Sequence, residues 1–283
     1  MSLHRTELSP GYPVLHINHS AASARVALHG AQIMEWQPAG QRPVLYLSPQ
    51  SAFQEGKAIR GGVPLCWPWF GPHATDRTLP SHGFARTRFW DLSATVEDES
   101  GVTLRFTLTD DEKTRKLWPH PFRLEMEMHI GRELHLSLHM TNTGTEPVTL
   151  SGALHTYLAV GDVREVRLEG LNDAEYLDTV GVPQLRHQNG DVVFESEVDR
   201  GYFTTADVHL KDAALGRVIT VRGSGSGCRV VWNPWIAKAA ALADLPDADY
   251  FRFVCVEAAN AWEDSVTIPP GDSHTLATTI SVE

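Results

Sequence analysis

Residues 122–140 read F-R-L-E-M-E-M-H-I-G-R-E-L-H-L-S-L-H-M, and apolar and polar side chains alternate on both sides of Gly131. Successive residues of a β-strand point to opposite faces of a sheet, so the pattern predicts a hairpin with one buried face. The histidines His129, His135 and His139 fall on its polar face. Their spacing is not that of a metal site, and we expect ordinary half-exposed residues there.

Similar short runs, separated by glycine and proline, continue on both sides of the hairpin. They begin near residue 12 and extend to Val282. Only Ile236–Ala243, in which alanine dominates, has the composition of a good helix. We therefore predict one all-β domain over residues 1–283, with roughly 16 to 20 strands. That number is too large for one sheet and implies stacked antiparallel sheets with very little helix.

Residues 59–90 interrupt this pattern with I-R-G-G-V-P-L-C-W-P-W-F-G-P-H-A-T-D-R-T-L-P-S-H-G-F-A-R-T-R-F-W. Glycine and proline fix local turns, so we predict one long loop. It carries Arg60, Arg86 and several tryptophans, including Trp67 and Trp69. Aromatic rings and arginines in a long loop are more typical of a binding site than of a connection. Alternatively, the tryptophans close the end of a hydrophobic core.

The composition excludes several classes of function. The net charge is −11, and nucleic-acid binding normally needs a basic face. No run of about 18 apolar residues is present, so no membrane-spanning helix is expected. The cysteines Cys66, Cys228 and Cys255 are scattered, and Met1–Pro10 has no apolar stretch typical of a secretory signal. We expect a cytoplasmic protein with reduced thiols. In the absence of a long amphipathic helix, we also expect a monomer.

Two polar residues lie where apolar strands are predicted. His155 ends the predicted strand Val148–His155, and Glu257 shares the buried face of its strand with Phe253 and Cys255. A buried glutamate is rare unless it is paired or functional. Glu257 could form an ion pair with a buried arginine, and His155 could be an ordinary core histidine. At one site, the two would form an acid–base pair.

The motifs I-R-G-G-V-P, W-F-G-P, L-P-S-H-G-F-A-R, L-H-T-Y, V-D-R and C-V-E-A-A-N occur in this order. Together they resemble the glucose-6-phosphate 1-epimerase (hexose-6-phosphate mutarotase) branch of the aldose 1-epimerase family, over nearly the whole chain. The resemblance implies a galactose-mutarotase-like β-supersandwich. It also implies activity at the anomeric carbon of a phosphorylated hexose.

The resemblance assigns roles to individual residues of these motifs. His155 matches the catalytic histidine and Glu257 the catalytic glutamate, while Arg60 and Arg86 match substrate-binding arginines. The arginines would bind the 6-phosphate through their forked N–H donors. Asp199 of V-D-R matches a sugar-binding aspartate of the family. Alternatively, Asp199 is an ordinary turn residue.

Other residues of the implied site have less specific roles. His82 matches an active-site histidine position. Ser81 stands where many relatives carry glutamine, so one direct sugar contact would be shorter or bridged by water. One of Trp67, Trp69 and Trp232 would stack on the pyranose ring.

The implied reaction needs no metal and no redox cofactor. Glu257 as carboxylate would take the proton of the anomeric O1–H, and His155 as imidazolium would protonate the ring oxygen O5. The ring opens, the C1–C2 bond rotates, and closure gives either anomer. Asp199 would hydrogen-bond the sugar hydroxyls or orient His155.

Other functions stay open at the level of sequence. A non-catalytic carbohydrate-binding protein on the same fold would not need both His155 and Glu257. A mutarotase of unphosphorylated aldoses would not need the phosphate site, and a sugar enzyme of altered specificity is also compatible. A metal-dependent isomerase of the cupin kind is disfavoured because no H-x-H spacing occurs.

Overall fold

The computed structural model describes residues 2–283. Met1, which the predicted domain and the Met1–Pro10 stretch include, lies outside the described residues. The first eleven strands are β1 (Leu3–Glu7), β2 (Pro13–Asn18), β3 (Ala22–Ala27), β4 (Gln32–Pro38), β5 (Leu65–Cys66), β6 (Asp91–Asp98), β7 (Gly101–Thr109), β8 (Phe122–Gly131), β9 (Leu134–Asn142), β10 (Val148–Leu150) and β11 (Gly152–Leu154). The remaining strands are β12 (Tyr157–Ala159), β13 (Val166–Glu169), β14 (Glu175–Asp178), β15 (Gln184–His187), β16 (Val198–Phe203), β17 (Val208–Asp212), β18 (Arg217–Ser224), β19 (Cys228–Asn233), β20 (Phe253–Asn260), β21 (Val266–Ile268) and β22 (Ser273–Val282).

Helix is scarce in the part of the chain that is described. The α-helices are α1 (Glu112–Leu117) and α2 (Trp235–Ala240). Short 3-10 turns occupy Ala85–Thr87, Val163–Glu165, Asp247–Arg252 and Trp262–Asp264. Neither α-helix has the length or the apolar composition needed to cross a bilayer.

The strands form two large antiparallel sheets and two smaller ones. One large sheet has the order β13-β17-β18-β22-β9-β8-β7-β6. The other has the order β15-β14-β16-β19-β20-β11-β5, with β12 also paired to β20. Strands β1 to β4 form a third sheet, and β10 pairs with β21. Strands β11 and β20 pack against β22, and β3 packs against β8, so the sheets are stacked around a shared core. The predicted supersandwich is confirmed.

The hairpin predicted from residues 122–140 forms as β8 and β9. Its register runs from Phe122 opposite Asn142 to Ile130 opposite Leu134. The apolar side chains are buried and the polar ones lie on the other face. There, His135 and His139 hydrogen-bond to threonines of β22 at 2.9 and 2.8 Å. Within residues 2–283, no cluster of His, Cys, Asp and Glu is arranged to hold a metal ion.

Several predicted element bounds are wrong. The described chain has 22 strands rather than 16 to 20. The single strand expected over Val148–His155 divides at Ser151, because β10 pairs with β21 while β11 pairs with β20. The helix expected over Ile236–Ala243 begins at Trp235 and ends at Ala240. It is not the only one, because α1 forms behind a capping box made by Asp111 and Thr114.

The predicted loop over residues 59–90 contains only β5 and the 3-10 turn Ala85–Thr87. Three of its glycines, including Gly62 and Gly83, are required by close packing as well as by positive φ. A Cβ on Gly62 would lie 2.1 Å from the carbonyl oxygen of Ile33, and one on Gly83 would lie 1.9 Å from that of Trp67. At these positions the backbone of the loop is therefore packed closely against the strands and against itself.

Candidate active site

Strand pairing brings His155 and Glu257 together. Strands β11 and β20 pair as far as Leu154 opposite Ala258. In the same register, the next residue after β11, His155, lies opposite Glu257 of β20. The Nδ1 atom of His155 lies 3.2 Å from Oε1 of Glu257. The exposed fractions are 7% for His155 and 1% for Glu257. Neither Nδ1 nor the second carboxylate oxygen, Oε2, has an aligned hydrogen-bond partner, so both buried atoms have unused hydrogen-bonding capacity.

Burial shifts the two groups of this pair in opposite directions. It raises the pKa of Glu257 well above its ordinary value, and the nearby charge of Asp199 adds to the effect. Burial also lowers the pKa of His155 well below 6.5, with a further contribution from His82. Both shifts favour the uncharged forms, because a low-dielectric environment disfavours charge. Burial therefore favours a protonated Glu257 beside a neutral His155.

His82 lies beside this pair. Its ring centroid is 5.8 Å from that of His155. Burial, followed by the charge of Arg86, lowers the pKa of His82 to about 3, so its ring is neutral. The backbone N–H of Gly71 donates to its Nδ1 at 3.1 Å, which leaves the proton on Nε2. His82 can therefore donate one hydrogen bond from Nε2.

Arg86 and Ser81 are joined through the backbone. The Nη2 of Arg86 donates to the carbonyl oxygen of Ser81 at 2.8 Å. The Nε of Arg86 is buried without a hydrogen-bond partner, and no carboxylate among the described residues lies within ion-pair distance of this side chain. Arg86 is therefore a cation with unused donors, and Ser81 orients it while its own side chain is exposed.

Arg60 is held by two side chains. Its Nε and Nη2 lie 3.1 and 3.0 Å from the same oxygen, Oδ1 of Asp244. Its Nη1 donates to the hydroxyl of Tyr157 at 3.0 Å. The Tyr157 ring stacks on His155, with 4.9 Å between centroids and 10° between planes. Arg60 is thus connected to the His155–Glu257 pair through one aromatic ring.

Asp199 lies on β16, opposite Trp232 of β19. Its Oδ2 is 3.5 Å from Nζ of Lys238, which also lies 2.7 Å from Glu197. Burial raises the pKa of Asp199, and the charge of Lys238 opposes that shift. The carboxylate is paired with Lys238 rather than hydrogen-bonded to His155, which favours the sugar-hydroxyl role over the orienting role.

The tryptophans differ in their access to the site. Trp232 contacts His155 edge-on, with 5.8 Å between ring centroids, and is 8% exposed. Trp67 is 1% exposed and packs edge-on against Trp118 in the core. The option that Trp67 stacks on a sugar is therefore wrong, because no face of its ring is free. Trp69 is held by a hydrogen bond from its indole N–H to the Pro80 carbonyl oxygen at 2.9 Å.

Sequence reasoning missed three residues that contact the predicted ones. Tyr157 follows His155 by two positions, and strand alternation could have placed the two side chains on one face. Lys238 is the only charged side chain in α2, and this isolated charge could have indicated a role for Lys238. Asp244 carries no such signal, because its contact with Arg60 joins distant parts of the chain.

A cavity of about 850 Å³ lies elsewhere, between β2–β4 and the turn at Asp247–Arg252. None of the predicted site residues lines it. Tyr46 forms part of its wall and donates a hydrogen bond to Asp249 at 2.7 Å. The cavity is therefore distinct from the His155–Glu257 pair.

The stacked antiparallel sheets agree with comparisons with known proteins. The family model described as Aldose 1-epimerase matches residues 13–281. A "Putative glucose-6-phosphate 1-epimerase" of Escherichia coli (strain K12) is 41% identical over 268 residues, covering 94% of this chain and 89% of that protein. One of the same name from Cenchrus ciliaris is 37% identical over 260 residues, covering 88% and 78%. A solved structure titled as a "putative mutarotase (YeaD)" from Salmonella typhimurium has a TM-score of 0.93 at 37% identity, covering 99% of this chain and 93% of that chain.

The fold is that of the galactose-mutarotase-like β-sandwiches. Within that class, the chain belongs to the aldose 1-epimerase family. It is an isomerase of the mutarotase type, as the resemblance implied.

Proposed function

We propose that the protein interconverts the α and β anomers of a hexose 6-phosphate, with glucose 6-phosphate as the expected substrate. The observation that carries the proposal is the buried carboxylate–imidazole pair, 3.2 Å apart and with free hydrogen-bonding capacity. The charges of two arginines, Arg60 and Arg86, act on His155. The relatives named as glucose-6-phosphate 1-epimerases support the same substrate.

In the proposed reaction, Glu257 removes the proton from O1 and His155 protonates O5. The reaction proceeds from the carboxylate–imidazolium form of the pair, which burial disfavours relative to the neutral form, and after ring opening the pair holds a carboxylic acid and a neutral imidazole. The two states contain the same number of protons. Burial favours the second state, so the protein stabilises the proton distribution that accompanies the open-chain aldehyde. Closure after rotation about C1–C2 restores the first state, and no exchange with solvent is needed.

The other residues would bind the sugar phosphate. Asp199 and the Nε2–H of His82 can hydrogen-bond to sugar hydroxyls, and Trp232 can contact the ring. Arg86 has unused donors for an anion, and Arg60 would provide a second forked cation. Ser81 would act through its carbonyl oxygen by holding Arg86, and through its exposed hydroxyl.

The proposal is tested by saturation-transfer NMR of anomer exchange with glucose 6-phosphate. We expect Glu257→Gln and His155→Ala each to lower the enzymatic exchange rate by about 100-fold or more, the usual contribution of general acid–base catalysis. Glu125 and His139 face each other on β8 and β9 and provide matched controls. Glu125→Gln and His139→Asn are expected to leave the rate unchanged. Full activity in either site variant would contradict the assignment.

A mutarotase of unphosphorylated aldoses is the second candidate. It is favoured by one observation, the Asp244 carboxylate that already occupies the forked edge of Arg60. The same measurement with glucose separates the two. Faster catalysis with the phosphate supports the proposal, and equal catalysis with both sugars contradicts the phosphate roles of Arg60 and Arg86.

A further inference from the structure

The two arginines of the proposed phosphate site are electrostatically different. Arg86 donates to a carbonyl oxygen and has no carboxylate partner among the described residues. Arg60 places its Nε and Nη2 against Asp244, so the edge that would grip a phosphate is filled by a carboxylate. The forked edge of an arginine binds carboxylate and phosphate by the same geometry. Asp244 and the substrate phosphate are therefore competitors for one cation.

The position of Arg60 does not depend on Asp244 alone. Tyr157 binds Nη1, and its ring is fixed against His155. The backbone of Arg60 is held by Ser51, whose hydroxyl accepts from the Arg60 N–H at 3.0 Å and donates to the Arg60 carbonyl oxygen at 2.9 Å. Removal of the Asp244 charge would leave the guanidinium in place, because these neutral contacts persist.

The backbone of Asp244 is anchored, whereas its side chain is partly exposed. Its carbonyl oxygen accepts a hydrogen bond from the Ser48 hydroxyl at 2.6 Å, and the next residue, Leu245, is buried. The backbone is thereby anchored while the side chain is 32% exposed. A substrate phosphate can turn this side chain away without moving the segment.

We infer that Asp244 is a specificity-determining residue, which weakens the hold of Arg60 on the phosphate by competing for its forked edge. This inference rests on the proposed function, in which Arg60 binds the 6-phosphate. The competition lowers affinity for any phosphate-bearing ligand, including the product, and acts much less on a neutral sugar. Since substrate and product are anomers with the same phosphate, a weaker grip on that group speeds the release of both.

The test is the binding of inorganic phosphate, measured by calorimetry, which does not require catalysis. Asp244→Asn keeps the shape and one acceptor oxygen but removes the charge. We expect its dissociation constant for phosphate to be about three- to tenfold lower than that of the wild type, as for loss of one nearby, partly screened charge. Equal or weaker binding in the variant, or no binding to either protein, would overturn the inference.

A matched control removes the same charge elsewhere. Glu35 pairs with Arg25 on the sheet of β1–β4, with Nε–Oε2 and Nη2–Oε1 distances of 2.6 Å. Glu35→Gln is expected to bind phosphate as the wild type does. A gain equal to that of Asp244→Asn would show a general effect of net charge and would contradict a local role for Asp244.

Kinetics separate this inference from the proposed function. The ratio of kcat/KM for glucose 6-phosphate to that for glucose is expected to rise about three- to tenfold in Asp244→Asn, through KM of the phosphate. A wild-type preference for the phosphate with an unchanged ratio in the variant overturns only the role of Asp244. A wild type with no preference overturns the phosphate site itself, whatever the calorimetry shows.

Discussion

At the scale of single residues, burial sets the pH range over which the His155–Glu257 pair carries one proton. Activity needs one acid and one base, and therefore one proton on the pair. A second proton would enter on His155, whose lowered pKa delays this step to a pH below the ordinary histidine value. The proton would be lost from Glu257, whose raised pKa delays this step to a pH well above the ordinary glutamate value. The pH range over which the pair carries one proton, and is active, is therefore extended at both its acid and its alkaline end.

We therefore predict a bell-shaped dependence of kcat/KM on pH, with its acid limb below about pH 6.5, the unperturbed histidine value. The measurement is anomer exchange at substrate concentrations well below KM, from about pH 5 to pH 9. The residual activity of Glu257→Gln should lack the alkaline limb, because the group that titrates there is gone. An acid limb above the ordinary histidine pKa would contradict the effect of burial.

Single residues also show what sequence can and cannot predict about the site. The motifs located His155, Glu257, Arg60 and Arg86, because each follows a local pattern of apolar residues or glycines. The partner Asp244 could not be predicted, since its contact depends on how the loop of residues 59–90 meets the segment after α2. The core position of Trp67 was one of two open possibilities, and only its packing neighbours decide between them.

At the scale of elements, the loop of residues 59–90 depends on backbone contact. Gly83 has φ of +70° and no space for a Cβ, whereas Gly71 on the same loop has φ of +71° and open space. The two positions therefore have the same intrinsic cost of adding a methyl group, and they differ only in the clash.

We predict that Gly71→Ala lowers the free energy of unfolding by about 1–2 kcal/mol, the cost of a left-handed conformation. Gly83→Ala should lower it by about 4 kcal/mol or more, because the added Cβ meets the Trp67 carbonyl oxygen. Urea unfolding of both variants provides the comparison. Equal losses would mean that the loop relaxes around the methyl group.

The strands themselves were predictable to different extents. Alternation predicted β8 and β9 well, because one face is buried along the whole hairpin and Gly131 is at the turn. It could not predict the break at Ser151, since β10 and β11 are both apolar and their partners, β21 and β20, lie more than a hundred residues away. Partner choice is a long-range property, and local periodicity carries no information about it.

At the scale of the whole molecule, one buried cation joins the two large sheets. Arg229 on β19 is fully buried and donates to the carbonyl oxygen of Gly223 on β18 at 2.8 Å. It also donates to the carbonyl oxygens of Thr205 and Ala206, at 3.1 and 3.2 Å. No carboxylate among the described residues lies within ion-pair distance of it. Its role is to satisfy backbone acceptors where the chain passes from one sheet to the other.

We predict that Arg229→Met lowers the free energy of unfolding by about 3 kcal/mol, because several buried carbonyl oxygens lose their donors. Arg167 on β13 is exposed, and Arg167→Met is the control, with an expected change within about 0.5 kcal/mol. Thermal or urea unfolding measures both. A neutral result for Arg229→Met would mean that the cost of burying its charge cancels the benefit of its hydrogen bonds.

His155, directly after β11, lies opposite Glu257 of β20, and this arrangement has a consequence for how such a protein can change over time. Their separation is set by backbone hydrogen bonds within one sheet, whereas the groups proposed to choose the sugar lie mainly on the loop of residues 59–90 and on the segment that begins with α2. Mutations in those segments can alter ligand preference while the spacing of the reacting groups is inherited intact. The architecture therefore separates the capacity for ring opening from the choice of sugar, so that new preferences can be acquired one substitution at a time.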